Sequence, residues 1–416
     1  MSTMLYLDTA RLGQMSPTAL KTHCDFVRLM AEDPSSLYTE QFLFDGASAT
    51  PEIPQRFPEL AYWPGIEGLK QQLRHAFAEN TNSDTEVLLA SRTTSLMQPS
   101  IRSMVAAGKR HLLLTDLTWP PYLKWIKCYA HRSGIKLSLL KLRRRIWKQG
   151  ITADDVAMAI LEDLRHTGAD SLFLPAVTHT GIRMPLPTIL QSLSSGVHDV
   201  HTIVDASQAY GHTDTNEWTH LADFTFGGCH KWVRAYLPLG VGFARQQDGA
   251  RHRKELSCDP LFQFCDTTGS GQGPMETVNV VPLFTAHGAV RDLMPCSATC
   301  RFASEAREFQ AIHQRCPTWS VLSSHGTLSS NVVLLQSASP SVRRLSSQQL
   351  RQLLAEHGIS ATTYGNGVIR ISLPHAEPGH VERITHQLGA TLGCLRRAQN
   401  AGVSRISAAT LQNAAP

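Results

Sequence analysis

Short apolar runs separated by stretches of helical periodicity limit this chain to a small set of architectures. The runs are EVLLA (86–90), HLLLT (111–115), IKLSLL (135–140), SLFLPAV (171–177), HTIVDA (201–206), DFTFGG (223–228) and VGFA (241–244). Ahead of the first, Ile66, Leu69, Leu73 and Phe77 recur at three and four, the apolar stripe of an amphipathic helix. Between the third and fourth, Val156, Ile160, Leu161 and Leu164 mark another helix, with Thr152 placed to cap it. Repeated strand, helix, strand predicts an α/β fold: a large domain over 55–285 whose mainly parallel sheet is sandwiched by helices.

The flanks read differently. Residues 1–54 form an N-terminal segment expected to be irregular or to carry short elements. At its end and just beyond, in ATPEIPQRFPELAYWPG (49–65), Pro51, Pro54, Pro58 and Pro64 disfavour a continuous helix. From 286 the pattern predicts a smaller α+β domain to residue 392, with helical pieces around 286–315, an apolar run NVVLLQ (331–336), a helix near 346–357 and a strand in GVIRISLP (367–374). Residues 393–416, poor in large apolar side chains, are expected to be a flexible tail.

With 42% hydrophobic and 18% charged residues in 416, disordered, collagen-like and small disulfide-scaffold classes are excluded. A formal charge of +5 argues against a dedicated nucleic-acid binder. No segment approaches the ~20 apolar residues that span a bilayer, so a soluble, cytoplasmic protein is expected, without a membrane partner. The nine cysteines include no C-x-x-C pair, which fits free thiols in a reducing compartment and no metal. No G-x-G-x-x-G follows an early strand and no Walker A pattern occurs, which argues against nicotinamide and P-loop chemistry.

Ligands of open parallel sheets bind outside the carboxyl ends of the strands, so the residues following each apolar run carry the functional reading. Asp205 ends HTIVD, with Gln208 three positions on, and a carboxylate there must be solvated or paired. Lys231 follows Gly227-Gly228, Cys229 and His230. Ser91-Arg92-Thr93-Thr94-Ser95 joins a strand to a helix and offers hydroxyls and backbone N–H groups suited to an anion. Trp119 lies four residues past a strand, either as core or as a flat partner for a ring. Arg370, in an R-x-S strand, has the fork that suits a carboxylate.

Val204-Asp205-Ala206 with Gln208, then His230-Lys231 with 26 positions from Asp205 to Lys231, then Gly240-Val241-Gly242, resembles the pyridoxal-phosphate enzymes of fold type I, specifically the class V aminotransferase and cysteine desulfurase group. The likeness runs over roughly residues 5–390. It implies pyridoxal 5'-phosphate as cofactor, joined to Lys231 as a Schiff base, with the released amine acting as the base at Cα. It implies that Asp205 keeps the pyridinium nitrogen protonated and that Gln208 donates to the phenolic oxygen. Thr93, Thr94 and His230 would hold the phosphate, joined by Ser270 of TTGSGQ reaching across a homodimer interface. Trp119 would stack on the ring. One of Thr178, His179 and Thr180 would stand near the phenolic oxygen, Thr178 being the residue carried forward. Arg370, and less directly Arg11, would bind the substrate carboxylate.

Two departures stand out. Gly228 replaces the serine usual three residues before the lysine, and EHGISATTYGNGVIR (356–370) lacks the nucleophilic cysteine of desulfurases. The resemblance therefore implies an aminotransferase-like enzyme acting on an amino acid or amine. The alternatives are a lyase (C–S, desulfurase-like or other Cβ elimination) and a non-catalytic protein retaining the fold.

Overall fold

Every one of the short apolar runs is a strand of a single sheet: β1 (Thr85–Ala90), β2 (His111–Thr115), β3 (Lys136–Leu140), β4 (Ser171–Pro175), β5 (His201–Asp205), β6 (Phe224–Gly228) and β7 (Gly240–Arg245). The computed structural model describes residues 4–34, 40–80, 85–195, 199–245, 260–261, 278–293, 318–322, 326–372, 382–384 and 386–391. The lateral order is β1-β7-β6-β5-β4-β2-β3. β7 runs against both neighbours, and the other strands share one direction.

Alternation along the strands divides the apolar side chains between two faces. Leu88, Leu112, Phe173, Ile203 and Phe226 face one way, into a core with the helices α3 (Met97–Ala106) and α4 (Pro120–Ser133). Leu89, Leu113, Leu174, Val204 and Phe243 face the other, into a core shared with α2 (Gly65–Phe77), α5 (Ala153–Thr167) and α6 (Leu186–Ser194). The sandwich predicted from the sequence is present. On α2, Ile66, Leu69, Leu73 and Phe77 are all buried. Thr152 caps α5 through a reciprocal bond with Asp155.

The N-terminal segment departs from its expected irregularity. α1 (Pro17–Glu32) is a sixteen-residue helix, capped by Ser16 and opened by Pro17. It buries Ala19, Thr22, Phe26 and Leu29 against α7 (Val281–Leu293), with the Phe26 and Phe284 rings 4.6 Å apart. Its outer face carries exposed Leu20, Val27 and Met30 beside Lys21 and Arg28, apolar residues off the buried stripe that blur its periodicity. The proline-rich stretch does break into separate turns, Ala47–Ala49, Glu52–Arg56 and Pro58–Tyr62.

Contacts divide the chain into two compact units: Thr9–Ala303 with Ser324–Ser330, and Met1–Asp8 with Ser304–Ser323 and Asn331–Pro416. The smaller unit contains an antiparallel sheet of β8 (Trp319–Val321), β9 (Val332–Ser337), β10 (Thr362–Tyr364) and β11 (Val368–Ser372), in the order β10-β11-β9-β8. A helix, α8 (Ser347–Glu356), shares a core with the sheet through Leu350, Leu354, Leu335, Ile369 and Ile371. Leu5–Tyr6 pairs in parallel with Ile359–Ser360. The tail expected over 393–416 lies outside the described residues. Among those described, no helix is long and apolar enough to cross a membrane.

Candidate active site

Because β1 to β6 point the same way, their carboxyl ends meet at one edge of the large sheet, and Thr93, Trp119, Thr178, Asp205 and Lys231 all follow or end strands there. Asp205 is the last residue of β5, in register with Pro175 on one side and Phe226 on the other. It is buried, and its Oδ1 accepts the Ser207 backbone N–H at 2.9 Å. Burial pushes its carboxyl above the ordinary carboxylate range, while the Ser207 hydrogen bonds and the positive charge of Lys231 act the other way.

Lys231 is half-buried in the turn that follows β6. Backbone bonds from Arg234 N to Lys231 O (3.1 Å), Ala235 N to Cys229 O (2.9 Å) and Cys229 N to Leu239 O (2.9 Å) fix this turn. Arg234 and Tyr236 both adopt left-handed backbone, at φ 67° and 62°, a conformation that stores strain in residues other than glycine. The residues leading into α1 lie along this turn. Gly13 N donates to His230 O at 2.8 Å and Ser16 N to Arg234 O at 2.9 Å. Arg234 Nε donates to Gln14 O at 3.2 Å. A Cβ on Gly13 would overlap the Lys231 carbonyl, so only glycine allows this approach.

Gln208 ties the same segments together. Its Nε2 donates to Ala10 O at 2.8 Å, and its Oε1 accepts the Trp232 indole N–H at 2.7 Å. The amide is thus already engaged at both ends, with one N–H left over. His212, whose ring stacks on Trp232 at 3.8 Å, lies behind it.

On the other side of the lysine turn, Thr93 and Thr94 open the helical turn Thr93–Leu96 that runs into α3. Thr93 is buried, with its hydroxyl donating to Gly227 O at 3.2 Å, and Thr94 is exposed. His230 Nδ1 is shut off from solvent with no hydrogen-bond partner. Burial, helped by the Lys231 charge, lowers the pKa of this imidazole to about 4, so it is neutral at neutral pH. Thr93 Oγ1 and His230 Nδ1 both lie within 3.3 Å of the point a Cβ at residue 228 would occupy.

Trp119 is 40% exposed at the start of α4 and is not a core residue. Its ring meets buried Tyr122 edge-on, 4.9 Å between centroids at 82°. Thr178 is buried and braces its own turn, accepting from Ile182 N at 2.9 Å and pairing with Thr180 Oγ1 at 3.0 Å. Of the three residues left open there, His179 is the one partly accessible. Arg11 is exposed in the segment beside the lysine turn. Arg370 belongs to the smaller unit, buried on β11. Ser270 lies outside the described residues. Sequence reasoning missed Gly13, Tyr122, Trp232 and Asp8. The contacts of Gly13, Trp232 and Asp8 are with residues far away in the chain, the one local hint being that Asp8 directly follows an apolar pair, whereas Tyr122 meets Trp119 one helical turn away.

These groups fit pyridoxal phosphate: a buried carboxyl for a protonated ring nitrogen, an amine beside it, an unpartnered neutral imidazole next to an opening helical turn for a phosphate, and an accessible indole for a ring. Among the described residues, no three of His, Cys, Asp and Glu are grouped to hold a metal ion.

No protein-family model matches the chain. Over 190 residues it is 27% identical to isopenicillin N epimerase of Amycolatopsis lactamdurans, a match covering 44% of this chain and 43% of the relative. The chain thus spans under half the length of that curated relative. Among solved structures, the cystine C–S lyase C-DES in complex with cysteine persulfide superimposes with a TM-score of 0.66 at 16% identity, covering 93% of this chain and 97% of the lyase. A variant of C-DES with glycine covalently linked to its PLP cofactor gives 0.63 at 18% identity, covering 93% of this chain and 96% of the variant. Ureidoglycine–glyoxylate aminotransferase of Bacillus subtilis gives 0.65 at 15% identity, covering 94% of this chain and 93% of its own. The chain therefore has the fold of PLP-linked C–S lyases and of aminotransferases, the fold type I architecture that its Asp205 and Lys231 motifs resemble.

Proposed function

We propose that this chain is a pyridoxal 5'-phosphate enzyme acting on an amino acid or amine, with aminotransferase-like chemistry. The observation that carries the reading is the pairing of buried Asp205 with the strained Lys231 turn at one sheet edge. When bound, the cofactor supplies an aldehyde that captures amines and a ring that withdraws electrons from Cα. Lys231 provides the anchoring amine and, once released, removes and returns the Cα proton. Asp205, ionised against a cationic ring, holds a proton at the ring nitrogen. Thr93, Thr94 and His230, with Ser270, bind the phosphate, the two threonines through the backbone N–H groups that open their helical turn. The remaining Gln208 N–H and the Thr178 turn address the phenolic oxygen, and Trp119 covers the ring. Arg370, assisted by Arg11, takes the substrate carboxylate.

A lyase uses the same residues, and the likeness to a cystine C–S lyase favours an elimination that needs no protein thiolate. Desulfuration by attack of a cysteine is disfavoured. Residues 356–370 contain no cysteine, and burial pushes the Cys229 thiol up to about 12, too high for a thiolate. The presence of Asp205, Lys231 and Arg370 together counts against a non-catalytic protein. We further infer a homodimer, as sharing of Ser270 requires, and a cytoplasmic location, with which the unpaired Cys24, Cys128 and Cys229 agree.

The reactions separate when holoprotein is mixed with amino donors and no oxo-acid. Stoichiometric conversion of the cofactor to its pyridoxamine form supports transfer. Continuous release of ammonia with an oxo-acid or sulfide establishes the lyase instead. A sedimentation measurement that finds a fully active monomer contradicts the homodimer.

A further inference from the structure

Arg370 is held by a carboxylate belonging to the chain itself. On β11 it stands across from Thr362 of β10 in direct register. Its neighbours Ile369 and Ile371 point into the core of the smaller unit, so the alternation of the strand sends Arg370 to the opposite face. There Arg370 Nη2 donates to Asp8 Oδ1 at 3.0 Å and to Thr362 Oγ1 at 3.2 Å. The Thr362 hydroxyl donates in turn to Asp8, with separations of 2.8 and 2.9 Å to the two oxygens. The triangle is chemically consistent: the threonine hydroxyl gives its one proton to the carboxylate and accepts one from the guanidinium. The contacts to Asp8 and Thr362 run through one guanidinium nitrogen, at one corner of the fork.

Asp8 is itself fixed by backbone. It forms a parallel bridge with Ser372, Ser372 N donates to Leu7 O at 2.9 Å, and Leu7 N donates to Ser360 O at 2.8 Å. Both members of the ion pair are under a tenth exposed. In such surroundings a guanidinium and a carboxylate that have lost water keep a fixed relative geometry.

We propose that Asp8, braced by Thr362, is a positioning residue that sets the orientation of the Arg370 fork toward the carboxylate of the substrate. This rests on the reading of Arg370 as the carboxylate grip. Asp8 touches neither substrate nor cofactor. It acts by fixing one corner of the guanidinium plane, so that a bidentate partner meets a preset fork rather than a rotating side chain.

Two aminooxy probes that differ in a carboxylate test this on the holoprotein, independently of the natural substrate. Aminooxyacetate carries the carboxylate and methoxyamine lacks it, and the loss of the bound cofactor's absorbance gives a rate constant for each. Asp8→Ala is expected to lower the aminooxyacetate rate constant by about tenfold or more with the methoxyamine value unchanged. Asp8→Asn, which keeps an acceptor oxygen, restores most of the difference, and Thr362→Ala, a milder change that leaves the ion pair in place, gives a smaller loss of the same kind. An unaltered ratio in Asp8→Ala and Thr362→Ala, or an equal fall for both probes, overturns the proposal. Arg370→Ala separates the two readings: if it too leaves the ratio unaltered, the carboxylate grip itself is wrong. If it abolishes the preference while Asp8→Ala does not, only the positioning role fails.

Discussion

Thr93 Oγ1 occupies the space into which a side chain at Gly228 would extend. Gly228 ends β6 in register with Gly240, which opens β7, and a Cβ on Gly240 would in turn press on the Arg92 backbone. The corner Arg92–Thr93 therefore rests on a rung of two glycines. The serine expected at 228 is absent because the threonine hydroxyl already fills that place and bonds Gly227 O.

Restoring the serine is accordingly expected to harm the protein. Gly228→Ser overpacks a buried corner, a change that costs about 1–3 kcal/mol, and weakens cofactor binding by displacing Thr93. Adding Thr93→Ala to Gly228→Ser recovers part of both losses. Thermal unfolding of the apoprotein and titration with pyridoxal phosphate measure the two effects. A Gly228→Ser protein of full stability and affinity contradicts this packing.

Gly13 sets a second steric limit. Gly13→Ala drives a methyl group into the Lys231 carbonyl, and the lysine turn or the N-terminal segment must shift. The expected result is a slower rate of cofactor capture, with a stability loss of about 1–3 kcal/mol, read by stopped-flow absorbance and thermal unfolding. An unchanged capture rate shows that the N-terminal segment does not position the lysine.

Cys229, two residues from Lys231, is expected to be inert. With its thiol pushed up to about 12 by burial, it stays protonated across the working pH range. In the native protein, iodoacetamide is expected to label exposed Cys24 and Cys128, faster as pH rises, and to leave Cys229 unlabelled in peptide maps. Rapid native labelling of Cys229 would show that the turn opens.

His212 makes stability depend on pH. Burial lowers its pKa to about 4, from 6.5 in an unfolded chain. Between those values the unfolded state binds the extra proton, so stability falls as pH drops through that window, by up to about 3 kcal/mol from this ring. His212→Phe keeps a ring against Trp232 but loses the 2.6 Å bond to Gln208 O. The variant is expected to be less stable at pH 7.5 by about 1 kcal/mol, with the gap closing or reversing by pH 5 in denaturant titrations. Parallel losses at both pH values rule out the titration of His212.

Much of the fold was legible because it rests on local periodicity. The Ile66, Leu69, Leu73 and Phe77 stripe and the apolar strands report one-sided and two-sided burial directly. α1 escaped notice because Leu20, Val27 and Met30 are exposed on its outer face. In the candidate site, motif and spacing point to Asp205, Lys231, Thr93 and His230, and the structure places these four around the carboxyl ends of β1, β5 and β6. The use of Gln208 as a tether to Ala10 and Trp232 could not, since it spans 198 positions. Asp8 and Arg370 are 362 positions apart, brought together by strand pairing of the N-terminal residues with 359–360 and by the parallel bridge to Ser372.

The central claim is that Lys231 carries the cofactor, and borohydride reduction of the protein loaded with pyridoxal phosphate, followed by peptide mass spectrometry, tests it most directly. The account predicts a single pyridoxyl-modified lysine, Lys231, and loss of the visible absorbance band in Lys231→Ala. A modification at another lysine, or an unchanged band in that variant, would contradict it.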